Sequence, residues 1–295
     1  MRYSLVMFRP SSVCDDLDWN EIWKERQKRH DSSKLFNDPS HNWNKRENAE
    51  RYDTSSRSEY DDRVKITIAG LDIKRNSRVL DIGAGPGTLA IPLAPLVTEV
   101  TAIEPGEGMV SILHERARKE NITNITAIRK RWEDIEISQD LCGTYDVVIA
   151  SLSLTMADIR EALQKMCAVS SDYVYLFWFV DMPFWEKMYA YLWEPLHKIR
   201  YFSGPKSDCL FNVLYQMGIY ANVQMLPLEK EYRFKSRDEM MAFFKNRFNA
   251  KTPEQAMIVT DYIASMIRKE GNDVVISGNS TFAKIWWRKQ KNELN

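Results

Sequence analysis

The chain has 295 residues, 44% of them hydrophobic, and its 41 basic and 41 acidic side chains cancel. That is ample apolar material for a core, and the balanced charge argues against a dedicated polyanion binder and so against nucleic acid as a partner. Four cysteines (Cys14, Cys142, Cys167, Cys209) and four histidines are scattered without CxxC or HxxxH spacing, so no metal centre is expected.

In chain order, Met1 to Pro10 holds only one short apolar run, Leu5 to Phe8. Nowhere do about 18 uncharged apolar residues stand together, so neither a signal peptide nor a membrane span is expected and the protein reads as cytoplasmic. Residues 15–62 are highly charged yet carry Trp19, Trp23, Phe36, Trp43 and Tyr52, too aromatic for a disordered tail. Docked amphipathic helices are expected there, forming an N-terminal cap or lid within 1–62. Trp19 and Trp23 share a helical face with Asp16 or Asp18 as cap, and Asp38-Pro39-Ser40 reads as a loop. From residue 63, short β-rich runs (78–82, 99–103, 125–128, 145–150, 173–180) alternate with helical segments (62–71, 86–95, 107–120, 157–168). This alternation predicts an α/β fold with a doubly wound, mostly parallel sheet and ligands at the strand C-termini. After residue 180 a helix ending near Pro195, a helix closing at Gly218 and a long strand over 221–234 are expected. Helices over 236–249 and 253–269 follow, capped by Ser236 and opened by Pro253, and a last strand lies around Gly278-Asn279.

The first strand runs directly into Gly83, Gly85 and Gly87. Glycines let a backbone approach a ligand and take angles a Cβ forbids. The G-x-G-x-G spacing is one residue shorter than the dinucleotide fingerprint, and Pro86 lacks the N–H that a pyrophosphate seeks at a helix start, which disfavours NAD or FAD. Asp81 would repel a phosphate and welcome an ammonium. Glu104, 17 residues past Gly87, is placed to accept from both ribose hydroxyls. The pattern describes a nucleoside that carries a cationic amino acid and no phosphate.

On these residues the sequence resembles the class I S-adenosylmethionine-dependent methyltransferases. VLDIGAGPGTLA (79–90) stands as the first motif, VTAIEPGEGMV (100–110) as the second, IRKRWEDI (128–135) at the third strand end and YDVVIASLSLTMADIREALQKM (145–166) as the fourth. The resemblance spans 43–180, with 210–235 and 280–290 more loosely. It implies a seven-stranded, mostly parallel sheet whose last strand is antiparallel, with an added helical cap. The methyltransferase domain would comprise 63–182, 208–235 and 272–295, and the cap insertions 183–207 and 236–271. It also implies S-adenosylmethionine as cofactor, held by Asp81, Gly83, Ala84, Gly85, Gly87, Glu104 and Pro105, with Met109 against the adenine. Where many relatives have Gly-Asp, this chain has Lys130-Arg131, and Arg131 has no acceptor for the adenine amino group. The Trp132 amide, with Glu133 or Asp134 as acceptor, is expected there instead. Asn42 to Asp53 looks like the short helix that closes over the cofactor, with Trp43 and Tyr52 either lining the mouth or docking the helix. Ser151 and Ser153 would face the transferred methyl or serve as turn residues.

The implied activity is methyl transfer to a small-molecule acceptor. A sulfonium methyl is already activated, so alignment does most of the work and supplies about 7–11 kcal/mol. A base is needed only if the acceptor carries a proton; His197, Glu186, Asp181, Tyr191 and Tyr52 are the candidates, and His197 has the best intrinsic pKa. The stripe Phe184, Trp185, Tyr189, Leu192, Trp193 has core spacing, and one face open to the pocket would suit a bulky or aromatic acceptor. The ASLSL strand end lacks the signature of amino-group methylases of nucleic acids. A protein side chain as acceptor, and a non-catalytic S-adenosylmethionine-binding protein, stay open beside this reading, with a nicotinamide dehydrogenase as the remaining rival. Cys209, beside apolar residues, reads as packing rather than as a nucleophile.

Overall fold

The structure, a computed structural model, describes residues 17–35, 41–59 and 61–289. Cys14, the alternative cap Asp16, Phe36 and the Asp38-Pro39-Ser40 loop lie outside the described residues.

Five strands form the parallel body of the sheet: β1 (Arg78–Ile82), β2 (Glu99–Ile103), β3 (Ile125–Ile128), β4 (Tyr145–Ser151) and β5 (Ser170–Phe179). The chain then adds β6 (Asn222–Phe234), the short β7 (Arg268–Glu270) and β8 (Asp273–Arg288). The order is β3-β2-β1-β4-β5-β8-β6, with β8 antiparallel to β5 and to β6, and β7 paired only to β8. A seven-stranded path with its last strand antiparallel is thus present as expected, and β7 is an extra rung on its ribbon. The order reverses between β1 and β4, and in open α/β sheets ligands bind at that switch point.

Alternation along the central strands fixes which side chains face which layer. Leu80 and Ile82 of β1 pack, with Val148 and Ala150, into one core, and Val79 packs with Val147 and Ile149 into the core on the other face. The first face is covered by α8 (Ile159–Val169), α10 (Ser207–Gln216) and α1 (Trp19–Ser32). Helix α1 is held by the Asp18 carboxylate, which accepts from the Asn20 and Glu21 amides. Trp23 is fully buried, its indole donating to the Met156 carbonyl at 2.8 Å, and this explains why so polar a segment carries tryptophans. The second face takes α4 (Asp61–Ala69), α5 (Ala90–Leu93) and α6 (Glu107–Lys119); the short α2 (His41–Asn44), α3 (Arg46–Glu59) and α7 (Ile137–Asp140) complete the body.

Three expected boundaries shift. The helix expected from 86 begins only at Ala90, because the glycine loop holds positive φ through Gly87; it then breaks into a 3₁₀ turn, Ala94–Leu96, with Pro92 and Pro95 cutting the hydrogen-bond ladder. Helix α9 (Phe184–His197) runs two residues past Pro195 and stops at Lys198, which takes the left-handed conformation. The helix expected over 253–269 ends at Ala264: α12 (Pro253–Ala264) gives way to β7, which turns at Gly271-Asn272 so that Glu270 pairs with Asp273. Gly271, at φ +59°, makes that two-residue hairpin possible.

Beyond Phe179, β6 and β8 continue past the sheet as a two-stranded ribbon, from the Glu229–Asn279 pair to the Phe234–Val274 pair. Helices α9, α11 (Arg237–Arg247) and α12 pack on it in a second core that includes Met188, Leu192, Phe244, Phe248, Val259 and Ile276. A cap drawn at 183–207 and 236–271 therefore shares its core with both strands. Most of the aromatic stripe of α9 belongs to this packing, and Trp185 joins the core on the sheet's second face. Leu192 is fully buried, Trp193 donates to the Ser33 carbonyl, Tyr189 packs on Phe248, Phe184 lies against Gly278 and Trp185 meets Phe179 edge-on. This corrects the idea that the stripe lines an acceptor pocket. Cys209 is likewise fully buried, and burial pushes its thiol up to about 11, away from nucleophilic use.

Candidate functional site

The glycine loop begins where β1 ends, and its neighbours dictate the glycines. Gly83 sits at φ +73°, where a Cβ would stand 2.3 Å from the Ser153 Cβ. Ser153 reaches across from the end of β4 and donates to the Ile82 carbonyl at 2.6 Å, so the two strand ends touch through this glycine. A Cβ on Gly87, at φ +81°, would stand 2.8 Å from Ile91 and 3.2 Å from Leu113. A Cβ on Gly85, at φ +56°, would meet nothing within 4 Å and would face open space. The amides of Gly83 and Ala84 both donate to the Ile103 carbonyl, at 2.8 and 3.0 Å, which ties the loop to the end of β2. On the β4 side, Leu152 adopts φ +57°, an uncommon and strained conformation for a bulky residue, between Ser151 and Ser153.

Glu104, 7% exposed, binds two backbone amides at once: Gly85 N–H to Oε2 at 3.0 Å and Gly106 N–H to Oε1 at 2.7 Å. Burial raises its pKa, and these two amides oppose the rise. Each carboxylate oxygen keeps acceptor capacity beyond its one amide, so Glu104 can still receive hydroxyl protons. Removing it frees the loop: a Glu104→Ala protein is expected to bind an adenosine ligand about 1–3 kcal/mol more weakly, with faster amide exchange at Gly85 and Gly106, measured by titration and hydrogen exchange.

A narrow cleft opens beside the loop, lined by Tyr52, Arg63, Asp81, Thr88 and Ser151 together with the loop backbone from Gly83 to Pro86. Among the described residues, two buried polar atoms on its wall lack a hydrogen-bond partner, Asp81 Oδ2 and Thr88 Oγ1. Asp81 is 2% exposed, and burial together with the nearby Glu104 carboxylate pushes its pKa up to about 7, against the Ala90 amide and Arg63, which favour the charged form. Arg63, on α4 and 8% exposed, donates to the Ser151 hydroxyl at 3.2 Å. The cleft therefore presents a carboxylate, a guanidinium and a hydroxyl to one small space, a setting for the zwitterionic end of an amino acid. Nothing in the sequence pattern singled out Arg63 or Thr88. Arg63 lies on a helix far from the motifs, and Thr88 follows the last loop glycine without a spacing rule of its own.

The lid helices cover the mouth. Trp43 stacks edge-on against Tyr52, and with Ala49 they pack on Met109 and Ile112 of α6. A Cβ on Gly106 would come within 2.8 Å of Trp43 Cβ, so the second motif needs glycine for this helix to seat. Burial raises the pKa of the Tyr52 hydroxyl, which stays protonated.

Asp81, Gly83, Ala84, Gly85, Ser151 and Tyr52 are thus brought together around the cleft, with Glu104 bonded to its floor and Met109 under the lid. Gly87 shapes the loop from behind, and Pro105 joins Glu104 to the Gly106 turn. Trp132 and Glu133 do not line the cleft. The Trp132 ring is buried in the sheet's core with its indole on the Ala162 carbonyl, and Lys165 binds the backbone carbonyls of Trp132, Glu133 and Ile135. His197 also stands elsewhere, its ring hydrogen-bonded to the Phe248 carbonyl and packed on Trp193 within the cap. Glu186 is engaged by Lys206 at 2.8 Å and by the Tyr201 hydroxyl, and Tyr191 stacks on Tyr262 at the surface. Among the described residues no group of three His, Cys, Asp or Glu is gathered for a metal, and no helix is long and apolar enough to cross a membrane.

Residues 79–172 match the family model of a methyltransferase domain. An uncharacterized protein of Haemophilus influenzae is 28% identical over 225 residues, 75% of this chain and 79% of that protein. A probable ribosomal RNA small subunit methyltransferase A of Methanosphaera stadtmanae is 38% identical over 93 residues, 29% of this chain and 34% of its own length. The ubiquinone biosynthesis O-methyltransferase of Acinetobacter baumannii is 38% identical over 90 residues, 30% of this chain and 37% of its own. The chain thus spans only about a third of the length of these last two relatives. A putative methyltransferase from Bacillus halodurans shares the fold at a TM-score of 0.54 with 17% identity, over 77% of this chain and 99% of that one.

Proposed function

We propose that this chain, a class I S-adenosylmethionine-dependent methyltransferase, passes the methyl group to a small-molecule acceptor by in-line displacement. The observation that carries the reading is the cleft at the switch point, where the unpartnered oxygens of Asp81 and Thr88 stand beside Arg63 and above Glu104. These groups fit the cofactor. Asp81 would take its ammonium, Arg63 and Thr88 its carboxylate, Glu104 its ribose hydroxyls and Met109 its adenine; Gly85 leaves the room. When bound, S-adenosylmethionine supplies an electrophilic methyl on a sulfonium.

The protein's own part is to bind, orient and exclude water. Ser151, at the end of β4 and held by Arg63, lines the cleft and would face the acceptor. The lid helices, with Tyr52 over the opening, support a small acceptor, since a closed mouth sequesters the reacting groups from solvent. Neither His197 nor Glu186 reaches the cleft, so the reading needs no cap residue as base, and an acceptor atom that is nucleophilic without one suits it best.

The test joins calorimetric titration with S-adenosylhomocysteine to a labelled-methyl assay on extract separated into small-molecule, protein and RNA fractions. Label in the small-molecule fraction supports the proposal. Label in protein or RNA instead replaces the acceptor class, and tight binding with no labelled fraction favours a non-catalytic binding protein. Absence of binding overturns the cofactor assignment.

A further inference from the structure

Arg116 of α6 stands behind the glycine loop and touches both of the parts that enclose the cleft. Its Nη1 lies 3.2 Å from Asp53 Oδ1 of the lid helix α3, and the same nitrogen donates to the carbonyl of Pro86 in the glycine loop at 3.2 Å. The two side chains are 14% and 7% exposed, so this ion pair is shielded from solvent, unlike the exposed Arg46–Glu115 pair on the same two helices. Asp53 adjoins Tyr52, which lines the cleft, so whatever holds Asp53 also holds that ring over the opening. With the lid seated, the free space in the cleft is about 30 Å³. That is room for about one water and far less than the roughly 300 Å³ at which small-ligand pockets begin. Admission and release of a nucleoside therefore require the walls of the cleft to part, and Tyr52 of α3 is one of those walls.

We propose that Arg116 is a positioning residue that latches the lid to the glycine loop, through Asp53 on one side and the Pro86 carbonyl on the other, and so governs how fast the cofactor leaves. The proposal rests on the cofactor reading given above. The latch stands outside the cleft wall and touches the loop by a backbone atom, so cutting it should loosen closure without removing any group assigned to the ligand. Because both contacts share one guanidinium nitrogen, a shift of the loop at Pro86 and a shift of α3 at Asp53 each disturb the other.

The experiment is stopped-flow displacement of S-adenosylhomocysteine from the full chain, with thermal melting in parallel. Asp53→Ala and Arg116→Met are each expected to raise the dissociation rate about tenfold or more while the association rate changes less, and the double variant should match Arg116→Met, which already cuts the contacts to both Asp53 and Pro86. Arg46→Ala, which cuts only the exposed pair, is expected to stay within about twofold. Asp53→Asn, equal in shape, takes the place of Asp53→Ala if the latter fails to fold. The latch is overturned if dissociation stays within about twofold in the folded Asp53 and Arg116 variants, if Arg46→Ala accelerates it equally, or if the two single effects add. In each of those cases wild-type binding leaves the cofactor reading standing, whereas a wild-type protein that does not bind S-adenosylhomocysteine overturns that reading and the latch with it.

Discussion

A Gly85→Val protein is expected to fold and yet to bind S-adenosylhomocysteine at least about a hundredfold more weakly, a loss of about 2.7 kcal/mol or more. The backbone at Gly85 stands at φ +56°, and a Cβ placed there would meet no atom within 4 Å, so the substitution finds room in the folded chain. It costs about 1–3 kcal/mol in left-handed strain, within the reserve of a typical domain. The room it takes is the cleft itself, since Gly85 is one of its lining residues. Gly83→Ala provides the contrast. Its methyl would stand 2.3 Å from the Ser153 Cβ, so β1 and β4 would have to part at their ends, and binding should fail together with stability. Melting curves and titrations of both variants separate the two causes. A Gly85→Val protein that binds as tightly as the wild type would show that the ligand lies elsewhere.

Affinity for S-adenosylhomocysteine is expected to rise with pH up to about pH 7 and then level off, because of Asp81. Its carboxyl has a pKa near 3.8 when the chain is unfolded and about 7 when folded, with burial and the Glu104 charge as the causes. Between those values the unfolded state has released a proton that the folded state retains. The contribution of this group to stability is therefore fully present below about pH 4 and is lost as pH rises to about 7, a change of roughly 4 kcal/mol at most. An ammonium beside Asp81 favours the ionised carboxylate, so binding below pH 7 expels the proton, and affinity should gain up to about tenfold per pH unit on approach to neutrality. Asp81→Asn should remove that slope, weaken binding near pH 8, and hold its stability better than the wild type between pH 5 and 8 as judged by denaturant melts. Calorimetry in buffers of different ionisation enthalpy counts the proton directly. A flat pH profile in the wild type would sever Asp81 from the ligand's amino group.

The part of the site that sequence made legible is the part that short-range geometry dictates. A strand end followed by glycines at positive φ, and an acid at the next strand end, are local consequences of how a parallel sheet meets its helices, so Asp81, Gly83, Gly85 and Glu104 fall within one patch. Arg63 and Thr88 escaped notice because their role comes from tertiary approach, as does that of Arg116, which lies within a helix whose pattern reads as an ordinary charged face. At the third strand end only the side chain is decided: the Trp132 ring, a large aromatic with the Ala162 carbonyl as partner for its indole, enters the core, which leaves its backbone amide as the group offered to a ligand. Beyond residue 180 the helical stripe of α9 was visible, although its period could not say which surface it met. Burial in the cap's core decided that question. The β7 hairpin was hidden because the helical pattern of α12 ran on past its true end, and the Gly271-Asn272 turn was the signal that should have stopped it.

Strands β6 and β8, of 13 and 16 residues, pass without a break from the sheet into the cap. A hinge needs a few residues free to absorb large changes in φ and ψ, and an unbroken antiparallel ladder offers none. On the reading proposed above, ligand traffic then falls to the side of α2 and α3, which rest on α6 through Trp43, Ala49 and Tyr52. The cap serves as a fixed wall against which that movement is measured.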